Sequence, residues 1–211
     1  MVLFNILEII DIIIMSLAIG YMFKDLFKVR PRFSTPEDII AQVTVGAKTV
    51  GGKLSNKLLT SDFWYAVALV APAVIFHEFG HKFMAMFFGH TATFHAAYTW
   101  LLLGIILKLM NFGFIFFVPA YVSIPAGLPP LQNALVSFAG PLVNLIFWLG
   151  SAAIIKYYYS KNVHLTKKQK NMLVYWSFFK KINMFLFIFN MLPIPMFDGF
   201  HVYTSLWAFF F

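Results

Sequence analysis

Apolar stretches of about twenty residues, separated by polar or basic connections, constrain this chain more than anything else in it. The first runs from about Val2 to Phe23 and the second from Asp62 to Phe88. Others cover Trp100 to Phe117, Leu131 to Lys156 and Asn171 to Met191. A backbone in lipid has no water to bond, so such stretches are helices unless they pair or are buried in protein. Hydrophobic residues fill 61% of 211 positions and charged residues only 11%, which excludes an ordinary soluble domain. We therefore expect an all-α polytopic membrane protein of about five to six membrane segments, integral and multi-pass. Two β-like stretches, Thr91 to Tyr98 and Val118 to Ile124, should pair as a small membrane-embedded β-hairpin, since open strands do not survive in lipid. Pairing would make the apolar segment between them re-entrant; a simple crossing is the alternative.

Three regions follow. Residues 1–23 form a first transmembrane helix. It carries Glu8 and Asp11 and lacks a basic start and a cleavage site, so it reads as retained. The two acids are three apart and share a face, turned either to the protein interior or to the headgroups. Residues 24–61 form a basic amphipathic connection, with a helix start at Ser34-Thr35-Pro36-Glu37-Asp38. Residues 62–211 form the core. Its third apolar segment is expected to be interrupted at Gly140-Pro141, and Lys156 to Lys170 to be a loop. From Gly199 thirteen residues remain, too few for a crossing of about 20, so the core is expected either to end early or to be truncated at its C-terminus.

The net charge of +8 does not imply nucleic acid. The basic residues lie between apolar segments, where they meet anionic headgroups or set topology, and no nucleic-acid module is present. With no cysteine there is neither a disulfide framework nor a thiolate metal site.

His77-Glu78-Phe79-Gly80-His81 lies some fifteen residues into the second segment. Ionisable side chains at that depth cost about 2.5–3.5 kcal/mol each even on a lenient scale, so three in five positions call for a function. On a helix His77 and His81 share a face and reach one Zn²⁺, while Glu78 stands close enough to act as a base on water at the metal. Two histidines leave zinc short of a third protein ligand. Among the eight acids only Glu78 and Asp198 fall in the later apolar segments, and Asp198 follows a break at Pro193-Ile194-Pro195. Asp198 is the best third ligand; its rival role is a turn or capping aspartate before Gly199.

HEFGH in one segment, Ala139-Gly140-Pro141-Leu142-Val143-Asn144 in a later one, and Asn190-Met191-Leu192-Pro193 leading to Asp198-Gly199 resemble the site-2 protease family of intramembrane zinc metalloproteases. The three motifs follow the family's order over roughly Asp62 to His201. No PDZ-like or CBS-like domain accompanies them, as in the small archaeal members. The resemblance implies one Zn²⁺ held by His77, His81 and Asp198, with Glu78 as general base and acid. It implies that Asn190 helps hold the scissile carbonyl or its oxyanion and that Asn144 supports the site. It also implies that the substrates are transmembrane proteins, cut in regulated intramembrane proteolysis within the bilayer of a prokaryotic cell membrane. Oligomeric state is not read from the sequence.

Two other functions compete. A ZIP-like metal transporter also places His and Glu on spans, but it needs a second ligand-rich helix, and the 156 to 170 loop offers only His164. The other rival is a catalytically silent binder of membrane proteins. Orientation is divided as well. Seven of sixteen Lys and Arg fall in residues 24 to 57 and seven in 156 to 181, which puts both stretches in the cytoplasm. The family resemblance instead puts the site nearer the cytosolic face and those loops outside.

Overall fold

The structure, a computed structural model, describes residues 3–27, 61–112, 118–161 and 165–211. Most of the basic connection expected over 24–61 lies outside the described residues. Helix α1 (Ile6–Phe23) opens where the Asn5 N–H donates to Glu8 Oε2 at 2.8 Å, and a short 3₁₀ turn (Lys24–Phe27) follows it. It packs antiparallel to α2 (Ser61–Phe87). Gly20 lies so close to α2 that an added Cβ would stand 2.4 Å from Val67 Cγ2, and at the other end Glu8 meets Lys82.

Helix α4 (Pro130–Lys161) runs antiparallel to α2, bringing Asn144 opposite His77 and Val136 opposite His81. Helix α5 (Lys167–Asn190) runs parallel to α2, with Tyr175 beside Ala68 and Asn183 beside Asn144. Helix α6 (Asp198–Phe210) follows a tight turn. Met15, Ile19, Leu69, Ala73, Phe94, Leu101 and Phe179 belong to the buried core between these elements. Helices α1, α2, α4 and α5 are long and apolar enough to cross a membrane. With two shorter helices, α6 and one between the two strands, the described residues form six helices in all.

Strands β1 (Thr93–Ala96) and β2 (Ala120–Ser123) pair antiparallel, Thr93 opposite Ser123 and Ala96 opposite Ala120. Between them, α3 (Tyr98–Leu109) runs alongside α1. The Tyr98 hydroxyl donates to Asp11 near the start of α1, and Lys108 reaches the Tyr21 and Met22 carbonyls and Asp25 at its far end. By Ala120 the chain is back beside β1. The described residues of this segment thus leave and return on the same side, as strand pairing required, and α4 begins on the side where α2 ends.

Two expectations need correction. Gly140-Pro141 does not interrupt α4, which is continuous over 32 residues with Pro141 inside it. Proline removes one backbone bond, and a membrane helix tolerates that where neighbours supply substitutes. Pro72 in α2 illustrates the substitution: it cannot donate to the Ala68 carbonyl, and the Tyr175 hydroxyl does so at 2.9 Å. The loop expected over 156 to 170 is also much shorter. α4 continues to Lys161, and α5 starts at Lys167 behind a Thr166–Gln169 capping box.

Candidate metal centre

His77 and His81, one turn apart on α2, set their rings at 81° with Nε2 atoms 3.1 Å apart. The turn after α5 returns the chain so that Asp198, the first residue of α6, places Oδ2 at 3.2 Å from His77 Nε2 and 3.4 Å from His81 Nε2. Among the described residues these three form the only group of three or more that could hold a metal. Asp198 thus opens α6 and also turns its carboxylate to the two imidazoles.

The triangle has the dimensions of a metal site. Ligands about 2.0–2.1 Å from a tetrahedral Zn²⁺ are separated by roughly 3.3–3.4 Å, close to the three distances seen here. The protons support the same fit. His81 Nδ1 lies 2.7 Å from the Val136 carbonyl, which can only accept, so that nitrogen donates. His77 Nδ1 lies 2.7 Å from Asn144 Oδ1. The Asn144 amide nitrogen is committed to the Ala73 carbonyl at 3.1 Å and to Asn183 Oδ1 at 2.9 Å, so its oxygen faces His77 and accepts. With Nδ1 committed as a donor, each imidazole in its neutral form turns an Nε2 lone pair towards the other and towards a carboxylate. Such a convergence of acceptors calls for a cation, and this outer tethering is the usual way a protein aims metal-binding histidines.

The space is there as well. A Cβ on Gly140 would lie 2.2 Å from His81 Nε2 and 2.8 Å from His77 Nε2, against both rings. The α4 backbone therefore forms one wall of the site because residue 140 has no side chain. Gly80 makes that approach feasible: its Cβ would stand 2.5 Å from the Ala139 carbonyl oxygen. The two motifs, far apart in sequence, are two sides of one helix crossing.

Glu78 is buried and, with His77, His81 and Asp198, lines a cavity of about 1120 Å³. Asn190, the last residue of α5, lines it too, as do Val118 to Val122 and Ile124 of β2 and its flanks; no β1 residue does. Asn144 is fully buried behind His77. His201 is exposed and stays outside the ligand group. His90 bonds Gln132 at 3.0 Å, and His95 lies near Asp11.

Sequence reasoning missed Asn183, which is fully buried, donates to the Phe179 carbonyl at 2.8 Å and accepts from Asn144. Its signal was present: a polar residue inside an apolar helix, seven before Asn190 and so on the same face. It also missed the Glu8–Lys82 ion pair, because a lysine next to His81 reads as a solvated residue.

A histidine pair and an aspartate around one point, with a glutamate beside them, make a group that could hold a metal on helices long and apolar enough to cross a membrane. The sequence profile of peptidase family M50 matches residues 153–210. A Methanocaldococcus jannaschii protein provisionally named zinc metalloprotease MJ0611 is 34% identical over 195 residues, 91% of this chain and 81% of its own length. A Bacillus subtilis protein provisionally named zinc metalloprotease YwhC is 29% identical over 153 residues, 67% of this chain and 68% of its own. No solved structure matches the chain. The chain belongs to peptidase family M50, the site-2 protease family, and that membership supports a metalloprotease.

Proposed function

We propose that this protein is an intramembrane zinc endopeptidase of the site-2 protease type, a multi-pass protein of a prokaryotic cell membrane that hydrolyses peptide bonds of transmembrane proteins. The observation that carries the reading is the triangle of His77 Nε2, His81 Nε2 and Asp198 Oδ2 with both Nδ1 atoms already tethered. A Zn²⁺ held there would polarise a carbonyl and make water acidic near neutral pH.

The chain's own residues do the rest. Glu78 takes a proton from the attacking water and returns it to the departing amine. Asn190 donates a hydrogen bond to the carbonyl oxygen as charge develops on it. Asn144 and the Val136 carbonyl keep the two imidazoles in the tautomer that presents Nε2. The substrate needs an extended backbone, since a helix hides its carbonyls in its own bonds. Strand β2 on the cavity wall suits such a segment, which would add to it as a further strand. Substrates that unwind readily near the cut would then be preferred.

The test is zinc content together with cleavage of a reconstituted single-span substrate, for wild type and Glu78→Ala. Zinc in both and cleavage only by wild type is the expected result. Stoichiometric zinc with no cleavage by wild type, across several helix-destabilised substrates, would favour a transporter or a silent binder.

A further inference from the structure

We infer that Glu8, on the first helix, is a positioning residue that seats the two-stranded sheet for its substrate. The inference rests on the reading that a substrate strand adds to β2. Glu8 is 3% exposed and Lys82 1%. Glu8 Oε1 accepts from the Phe94 N–H at 2.7 Å and from the Lys82 ammonium, while Oε2 accepts from the Asn5 N–H at 2.8 Å. The Lys82 ammonium also stands 4.6 Å from the centre of the Phe4 ring. One buried carboxylate thereby joins α1, the residue next to His81 on α2, and the middle of β1.

The register shows what this contact does. The Ala97 N–H donates to the Pro119 carbonyl at 3.1 Å, so bonded pairs fall at every second residue from there. Phe94, opposite Val122, is a non-bonded position, and its N–H points away from β2. Glu8 takes that N–H and closes the outer edge of β1. The same alternation turns the N–H and C=O of Ala120 and Val122 away from β1, on the strand that lines the cavity. The sheet thus has one edge capped by Glu8 and one edge open to the cavity that His77, His81 and Asp198 also line. Two strands of four residues are not stable alone, so the cap also fixes where the open edge sits.

A purely architectural ion pair would hold α1 to α2 and leave substrate affinity alone. Two double variants of the full-length protein in proteoliposomes separate the roles: Glu8→Gln with Lys82→Met, and Glu8→Leu with Lys82→Met. Both remove the ion pair, and only the first keeps an oxygen for the Phe94 N–H. Replacing a buried pair outright is often tolerated, so folding should survive. With a single-span substrate, the Gln variant should keep KM within about twofold of wild type. The Leu variant should raise KM about tenfold, with kcat and zinc content unchanged. Equal KM for the two variants overturns the inference, even where their melting temperatures differ. Should the Leu variant not fold, a tenfold KM rise in the Gln variant with zinc intact overturns it as well. No cleavage by wild type is a different failure: it removes the protease reading and this inference with it.

Discussion

His77 Nδ1 lies 2.7 Å from Asn144 Oδ1, and the two residues belong to helices running in opposite directions. The bond is the middle of a relay. Phe179 on α5 accepts from Asn183, Asn183 accepts from Asn144, and Asn144 accepts from the ring that faces the metal position. Three helices are thus engaged in the orientation of one imidazole.

Asn144→Ala should therefore weaken zinc binding by about 10–100-fold while His77 itself remains. Asn183→Ala should cause a smaller loss, because it frees the Asn144 amide but leaves the Ala73 contact. Competition with a fluorescent chelator measures both. Equal affinity for Asn144→Ala and wild type would mean the relay does not hold the ring.

Gly140 tests the space. Gly140→Ala puts a carbon 2.2 Å from His81 Nε2, so the variant should lose bound zinc although no ligand has changed. Gly150→Ala on the same helix meets nothing within 4 Å and should keep zinc and gain a little stability, about 0.5–1 kcal/mol. Metal analysis and thermal melts of the two variants make the comparison.

Tyr175→Phe withdraws the donor that serves the Ala68 carbonyl opposite Pro72. We expect a loss of about 0.6–1.5 kcal/mol, read from unfolding in mixed micelles, with zinc content unchanged. In a Pro72→Ala background the helix supplies its own donor, and the penalty for losing Tyr175 should shrink.

Removing the metal should cost stability. Without a metal, two Nε2 atoms and a carboxylate oxygen within 3.4 Å of one another lose the ion that would bind all three. A strong chelator should lower the melting temperature, and added zinc should restore it in proportion to the logarithm of its concentration. His81→Ala should show neither response.

The sequence displayed the chemistry better than its support. His77, Glu78 and His81 are legible because their spacing equals a helical turn and because such residues are costly in an apolar segment. Asp198 is legible by elimination, since so few acids occur there. Strand pairing was legible from the intolerance of lipid for open edges. The continuity of α4 was not, because whether Pro141 breaks a helix depends on neighbours that the sequence does not place. Gly140 reads as part of an interruption, and Gly80 carries no signal, until the crossing of α2 and α4 shows that they are the crossing. Glu8 and Asp11 were divided between interior and headgroups. Burial decides for the interior, with Lys82 and Tyr98 as partners.

The most direct measurement is the mass of the products formed from a single-span substrate in proteoliposomes, by wild type and by His77→Ala. The account predicts new termini inside the apolar segment of the substrate, formed by wild type alone and only with zinc present. Products cut outside that segment, or the same products from His77→Ala, would contradict it.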